Sequence, residues 1–198
     1  MKPDESIGRS KPVAGGVPGD DECVGRARGG DAGAFQVLVE RYRNRVYGLA
    51  LRIVRSPPDA EEVAQDTFVR AWLALPRFRG AASFSTWIYR IAAHRAFDRV
   101  QVLKLRRGRE AGIEALAGAA AAPDVAAPRT GRARQLERLV AELSPAQRAA
   151  VTLYYLQDCS VEQVAETLGM PENTVKTHLN RARAALRAAW LARKGEAG

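Results

Sequence analysis

Apolar residues recur at three- and four-residue steps along most of the chain, which is the spacing of amphipathic α-helices. The first such segment follows Asp31, a residue suited to cap the start of a helix. A Ser-Pro-Pro run at 56–58 ends this helix, and the next is predicted from Asp59 to about Leu75. The apolar positions of the first segment are Phe35, Leu38, Val39, Tyr42, Val46, Leu49 and Ile53.

Helical spacing returns from about Ser83 to Arg107, after a short loop around Gly80. We therefore expect residues 21–107 to form one helical domain. The preceding residues 1–20 are rich in Gly, Pro and charge, and they have too little apolar surface to offset the entropy of ordering. They are predicted to be a disordered tail.

A second helical domain is expected over residues 131–194, after a linker. Residues 108–130 contain nine Ala and five Gly or Pro and lack an apolar stripe, so a flexible linker is predicted there. The apolar stripe of the next segment consists of Leu136, Leu139, Val140 and Leu143. No strand pattern occurs, so the fold class is all-α with two small helical domains.

Capping signals mark the helices of the second domain. Ser144 precedes a proline, and Ser160 has Gln163 three residues later, which is the spacing of a capping box. Gly169 follows the short helix that Ser160 starts, and a proline-started helix follows in turn. Short helix, glycine turn and second helix predict a helix-turn-helix, in which the second helix enters the DNA major groove.

The last helix presents polar and basic side chains on the face away from its apolar stripe. An amphipathic helix that is merely solvated is the alternative, and the turn in front of this helix together with its lack of acids argues against it. Side chains of these types reach phosphates and base edges. The predicted contacts are Thr174, Lys176, Thr177, His178, Asn180, Arg181 and Arg183.

The net charge of the chain is high, and its acidic and basic residues are segregated along the sequence. The formal net charge is +9 with a pI near 10.1, which favours a polyanionic partner. Residues 56–69 hold four acids and no base, whereas residues 173–195 hold six bases and no acid. Neither cysteine has a second ligand cluster nearby, and we expect no metal, no signal peptide and no membrane span.

Aromatic and cationic residues alternate between residues 77 and 99. Rings can stack on unpaired bases while arginines follow the backbone, so the cluster favours single-stranded DNA. Core packing is the alternative, and for each ring taken alone it is the stronger explanation. The cluster consists of Phe78, Phe84, Trp87, Tyr89 and Phe97 with Arg77, Arg79, Arg90, Arg95 and Arg99.

Over about 31–101 and 135–186 these segments resemble the extracytoplasmic-function branch of the sigma-70 family. The segment DAEEVAQDTFVRAW is similar to the family's region that docks on the β′ subunit of RNA polymerase. The resemblance implies a region 2-like bundle followed by a region 4-like helix-turn-helix domain that reads the −35 promoter element. The polymerase contacts that the resemblance implies are Asp59, Glu62, Gln65, Asp66 and Phe68.

The segment FRGAASFSTWIYRIAAHRAFD is similar to the part that melts and reads the −10 element. His94 and His178 stand where the family commonly has Asn and Arg. The resemblance further implies core RNA polymerase (β′ and β) and promoter DNA as partners, an anti-sigma factor, a cytoplasmic protein, and neither catalysis nor a cofactor. Its implied −10 contacts are Arg79, Phe84, Thr86, Trp87, Arg90, His94 and Arg95.

Two other classes explain part of the sequence. A response-regulator type of transcription factor has a similar DNA-binding helix, but it needs a domain with strands upstream, where only helices are predicted. A nuclease could use Asp59, Glu62 and Asp66 to hold a metal. That site lacks a second group of ligands in the sequence, and surface acids on helices are usually solvated.

Overall fold

A computed structural model describes residues 18–113, 140 and 143–195, with side chains described for 18–106, 140, 143–188 and 191. Its regular elements over these ranges are helical, as the fold class predicts, and none is long and apolar enough to cross a membrane. The elements are α1 (Asp20–Arg28), α2 (Ala32–Val54), α3 (Pro57–Ala74), a 3-10 turn (Leu75–Arg77), α4 (Phe84–Ile113), α5 (Pro145–Leu156), α6 (Val161–Leu168) and α7 (Glu172–Gly195).

Helices α2, α3 and α4 pack on one another and form the core of the first unit. On α2 the predicted apolar stripe is buried, with Leu38, Leu49 and Ile53 fully inaccessible. On α4 the buried positions include Ala92 and Ala96, whose small side chains let neighbouring helices approach closely. The stripe read from the sequence is therefore the core-facing side of α2.

Helix α1 was not predicted, because the sequence before Asp31 has little apolar content. It is held by tertiary contacts: the Asp20 carboxylate accepts hydrogen bonds from Arg41 and Tyr42 on α2. Arg26 in its last turn pairs with Asp31 at 2.8 Å. Acids in its first turn and arginines in its last also complement the helix dipole. Of the predicted tail at residues 1–20, residues 1–17 lie outside the described residues, and the prediction is wrong at Asp20, which begins α1.

Two helix boundaries differ from the predicted ones. Helix α3 begins at Pro57, two residues before the predicted start, because proline is well suited to the first turn of a helix. Helix α4 continues to Ile113, past the predicted end at Arg107 and into the first residues of the predicted linker. Arg109, Glu110 and Ala111 are good helix formers, but Gly108 and Gly112 are not, so helix propensity alone does not explain this extension. The rest of the linker, and Leu136 and Leu139 after it, lie outside the described residues.

The second unit begins as the capping signals predict. Ser144 accepts a bond from the Gln147 amide at 3.3 Å while the Gln147 side chain accepts from the Ser144 amide at 2.9 Å. Ser160 and Gln163 form the same reciprocal pair at 3.1 and 2.8 Å. Gly169 closes α6 with a φ of 63°, a left-handed conformation that glycine adopts without strain.

The two units pack directly on each other. Helix α2 contacts α5, and α4 contacts α6, so that the buried apolar residues of both units form one continuous cluster. The sequence predicts each unit but not this packing. Helix α4 thus borders the first core on one side and the helix-turn-helix unit on the other.

Removing the cap of α6 should destabilise the unit that carries it. Ser160→Ala leaves the Gln163 amide without its acceptor, which we expect to cost about 1 kcal/mol. Urea unfolding monitored by circular dichroism measures the loss. Ser160→Thr, which retains a hydroxyl, is the matched control and should lie within about 0.5 kcal/mol of the parent. Equal midpoints for the alanine and threonine variants would contradict the assigned cap.

Candidate nucleic-acid interface

The acids of α3 form ion pairs with arginines of α4. The Arg99 guanidinium donates to Asp59 Oδ1 at 2.6 Å and approaches Glu62 Oε2 at 2.8 Å. Asp66 accepts from Arg95 and, at 2.9 Å, from Arg70. The acidic stretch that the sequence singled out is therefore partly neutralised within the fold.

Exposure separates these acids into two groups. The Asp59 side chain is 13% exposed and the Glu62 side chain 63% exposed. Gln65 is also exposed, whereas Asp66 and Phe68 are half-buried. Of the predicted polymerase contacts, Glu62 and Gln65 are thus the ones that face outward most clearly.

Two apolar residues that sequence reasoning missed extend this outward face. Val69 is 57% exposed and Leu73 is 72% exposed. They follow Glu62 and Gln65 at three- and four-residue steps on α3, so all four side chains lie on one face. That periodicity was visible in the sequence, but it could not distinguish an apolar residue facing a partner from one facing the core. We call these four residues the α3 face.

The aromatic cluster is mainly a packing unit. Phe84 is 3% exposed, and its ring lies 5.4 Å from Tyr42 and 5.7 Å from Trp87. Phe78 stacks on Trp87 with ring centroids 4.8 Å apart. Thr86 is 2% exposed and shares hydrogen bonds with Ser83 at the start of α4. The buried Phe84 and Thr86 side chains therefore support the surface rather than form it.

The remaining predicted −10 residues lie at or near the surface of α4 and its preceding loop. Arg79 and His94 are exposed, and Trp87 is half-buried. Arg95 is half-buried and shared between Asp66 and Asp98. Arg90 is paired with Glu166 of the other unit.

The last two helices have the geometry of a helix-turn-helix. Val164 on α6 and Val175 on α7 are fully buried, and they hold the helices together across the turn at Gly169. On the outer side of α7, Lys176 pairs with Glu172 at 3.2 Å. The exposed predicted contacts are Lys176, Thr177, Asn180, Arg181 and Arg183.

Two of the predicted α7 contacts are less accessible. Thr174 and His178 are half-buried, and His178 Nδ1 is buried with no hydrogen-bond partner among the described residues. One edge of the His178 imidazole ring therefore packs against the protein. Direct contact with a base edge from His178 would use its other edge.

Comparison with known proteins gives the same organisation. The protein-family model for Sigma-70 region 2 matches residues 38–106. The protein-family model for Sigma-70, region 4 matches residues 133–186. The chain is 32% identical to the RNA polymerase sigma-H factor of Pseudomonas aeruginosa, over 84% of this chain and 91% of that protein. It is 30% identical to the ECF RNA polymerase sigma factor SigW of Bacillus subtilis, over 83% and 92% of the two chains. The chain is an extracytoplasmic-function sigma factor of the sigma-70 family.

Solved structures agree with this assignment. The structure of CnrH in complex with the cytosolic domain of CnrY aligns with this sigma factor at a TM-score of 0.63 and 26% identity, covering 87% of this chain and 97% of CnrH. The sigma factor RpoE of Bartonella quintana shares the fold, with a TM-score of 0.65 at 22% identity over 79% of this chain and 96% of that one.

Acidification should destabilise this sigma factor through Asp59 and Asp66. Burial alone would raise the pKa of Asp59, but hydrogen bonds from Ser56 and Arg99 lower it overall, and Arg70 and Arg95 do the same for the pKa of Asp66. Their stabilising contribution is complete above the unfolded pKa of about 3.9 and is lost as the pH falls through the lower folded pKa. The unfolding free energy measured between pH 2 and 7 should fall less steeply below about pH 4 in Asp59→Asn. A slope as steep as in the parent would contradict the assignment.

Proposed function

We propose that this sigma factor binds core RNA polymerase through the α3 face, reads and melts the −10 promoter element along α4, and reads the −35 element with α7. The observation that carries the proposal is the match of both units, in order and over most of the chain, to proteins named as RNA polymerase sigma factors. Promoter-directed transcription by purified core polymerase, with this chain added and a promoter library as template, tests it directly.

The α3 face suits a protein partner. Val69 and Leu73 together offer exposed apolar surface, flanked by the carboxylate of Glu62 and the amide of Gln65. Apolar residues rimmed by polar groups are the composition of a protein interface. The β′ subunit is the proposed partner here, because the family resemblance places its docking region on this helix.

The α7 surface suits duplex DNA. The sequence of this helix from Asn173 to Gly195 has six basic residues and no acid, and Glu172 in its first turn pairs with Lys176. Lysine and arginine neutralise phosphates, and arginine and asparagine also form paired hydrogen bonds with guanine and adenine edges. Arg181 is the proposed base reader, since it is exposed on the outer side of α7.

The −10 function is proposed for the exposed edge of α4 and the loop before it. Arg79, Arg90 and His94 supply polar and cationic groups, and Trp87 supplies part of a ring. Aromatic stacking with nearby cations is the usual chemistry of single-stranded DNA recognition. We leave Phe84 and Thr86 out of this set because their side chains are buried.

The proposal extends to cellular setting and regulation. A sigma factor that binds polymerase acts in the bacterial cytoplasm, and we propose no catalytic role for its residues. CnrH, which this chain resembles in structure, was solved in complex with the cytosolic domain of CnrY. We propose a comparable anti-sigma partner for this chain. The response-regulator alternative is not favoured, because the matches include the first unit and residues 18–113 contain no strand.

Leu73→Ser should weaken binding to purified core polymerase by about tenfold, because it removes exposed apolar surface that docking would bury. Competition binding with labelled parent chain measures the change. Leu105→Ser on α4, where Leu105 is 61% exposed, is the matched control and should bind as the parent does. Equal loss in both variants would contradict the α3 face.

Glu62→Lys should also weaken polymerase binding, and it is a cleaner charge reversal than one at Asp59. Asp59 is mostly buried against Arg99, so its reversal tests the fold as much as the docking surface. Glu62→Lys should retain the parent's circular dichroism spectrum. Unchanged capture of core polymerase by a folded Glu62→Lys chain would count against docking through this face.

Arg181→Ala should lower the affinity of the holoenzyme for promoter DNA by about 1–3 kcal/mol if Arg181 reads a base. The loss should depend on the base pair at one −35 position, whereas loss of a phosphate contact would be uniform across sequences. Arg187→Ala, exposed further along α7, is the control. If the affinity of the parent holoenzyme for promoter DNA did not fall with added salt, both a base contact and a phosphate contact of Arg181 would be contradicted.

A further inference from the structure

A cavity of about 240 Å³ lies between helices α2, α4 and α5. Its apolar wall consists of Ile53 and Val54 at the end of α2, Val100 and Leu103 on α4, and Pro145 at the start of α5. The other described residues that line it are basic, and none is acidic. Apolar walls that hold the body of a ligand, with a few polar groups that orient it, are typical of small-molecule sites.

Two of the basic side chains at the cavity have no counter-charge among the described residues. Arg55 and Lys104 are exposed, and neither side chain forms an ion pair or a hydrogen bond within the described part of the chain. By contrast, Arg95 and Arg99 on the same helix as Lys104 each pair with acids. A single exposed cation is ordinary, but two beside one apolar cavity give it a positive charge that an anion can neutralise.

The third cation, Arg148, lies deeper in the cavity. It is 7% exposed, and its guanidinium donates to Arg52 O at 2.6 Å and to Ile53 O at 2.9 Å. Burial, with Arg55 nearby, lowers the pKa of Arg148 to about 10, so the guanidinium remains charged at neutral pH. An anion in the cavity would offset part of the repulsion between Arg148 and Arg55.

The backbone at Arg55 is strained. Arg55 ends α2 in the left-handed conformation, with a φ of 62°. Glycine is the usual residue for this conformation, and Gly169 provides it at the end of α6 with a φ of 63°. Strained residues other than glycine cluster at functional sites. The guanidinium of Arg55 beside the cavity supplies a role that glycine could not fill.

We propose that this cavity binds a small amphiphilic anion, a carboxylate or a phosphate monoester, whose apolar chain lies against Val100 and Leu103 and whose head group pairs with Arg55 and Lys104. Arginine and lysine both form charge-assisted hydrogen bonds with these head groups. The volume is below the roughly 300–1,000 Å³ of drug-sized sites, so the ligand is short-chained. None of the residues named as lining the cavity belongs to the α3 face or to the proposed promoter contacts.

The binding test is titration calorimetry on the full parent chain with octanoate and, separately, octyl phosphate. At least one of these anions should saturate a single site, with an affinity that falls as salt is added. The tighter of the two identifies the head group as carboxylate or phosphate. Octan-1-ol has the chain without the charge, and acetate has the charge without the chain. Each should bind at least about tenfold more weakly.

Charge variants test the cationic residues. Arg55→Gly and Lys104→Gln should each weaken binding of the tighter anion by about fivefold, because each removes one charge pair near the surface. Arg55→Gly should keep the fold, since glycine adopts the left-handed conformation without strain. Arg55→Lys restores the charge and should bind within about twofold of the parent. Arg43→Gln removes a charge from an exposed position of α2 outside the cavity and should bind as the parent does.

Methyl resonances locate the bound anion. Those of Val100 and Leu103 should shift on titration, while those of Val69 and Leu73 on the α3 face should not. The proposal is overturned if neither anion binds, if octan-1-ol binds as tightly as octanoate, or if both charge-removing cavity variants bind as the parent does. Shifts confined to Val69 and Leu73 would show non-specific apolar binding and would also overturn it. Resonances of Val100 and Leu103 that move with protein concentration, without added anion, would assign the cavity to a second copy of the chain instead.

Discussion

Helix α4 is packed on two sides, and the rest of the structure depends on that burial. Its small residues Ala92, Ala93 and Ala96 are fully inaccessible, which allows α2 and α3 to approach on one side. On the other side α6 lies against Arg90. A helix enclosed in this way offers nucleic acid only a strip of its surface. The residues proposed to read DNA and the core residues are therefore neighbours on one helix.

The arginines of α4 show the consequence of this enclosure. Arg95 and Arg99 lie on the helix that is proposed to read DNA, yet they pair with Asp66, Asp59 and Glu62 on α3. These pairs fix the relative position of the two helices and so connect the docking helix to the reading helix. Exposed ion pairs contribute little stability, whereas the largely buried Asp59 pair is less screened by water but also carries a desolvation cost. The Asp59–Arg99 pair therefore positions α3 relative to α4 as well as contributing to stability.

Sequence reasoning succeeded where the signal was local. The caps at Asp31 and Ser144, the capping box at Ser160 and the left-handed Gly169 all occur where predicted, because each depends on residues within one turn of the helix end. Helix α1 was missed because it is held by Asp20 bonding to α2, a contact between residues more than twenty positions apart.

The candidate site was predictable to a smaller extent. Apolar periodicity identifies the face of a helix that avoids water, but it does not say what covers that face. The family resemblance implies −10 contacts at Thr86 and Phe84, which are buried, whereas the exposed Val69 and Leu73 belong to no set of contacts that the sequence predicts. In the same way, a run of acids is compatible with an external partner or with arginines of the same chain. Only tertiary structure distinguishes these cases, as it does for Asp59 and Glu62.

The packing of the two units bears on the order in which partners bind. The Arg90–Glu166 ion pair joins α4 to α6, so a partner that separates these two helices breaks it. Separation exposes buried residues such as Tyr89 and Ile53 to water, and the free energy for this must come from contacts made elsewhere. Core polymerase, whose proposed docking surface on α3 is exposed in this arrangement, would supply such contacts. A partner that instead bridges α2 and α5 would stabilise the packing of the two units and oppose their separation.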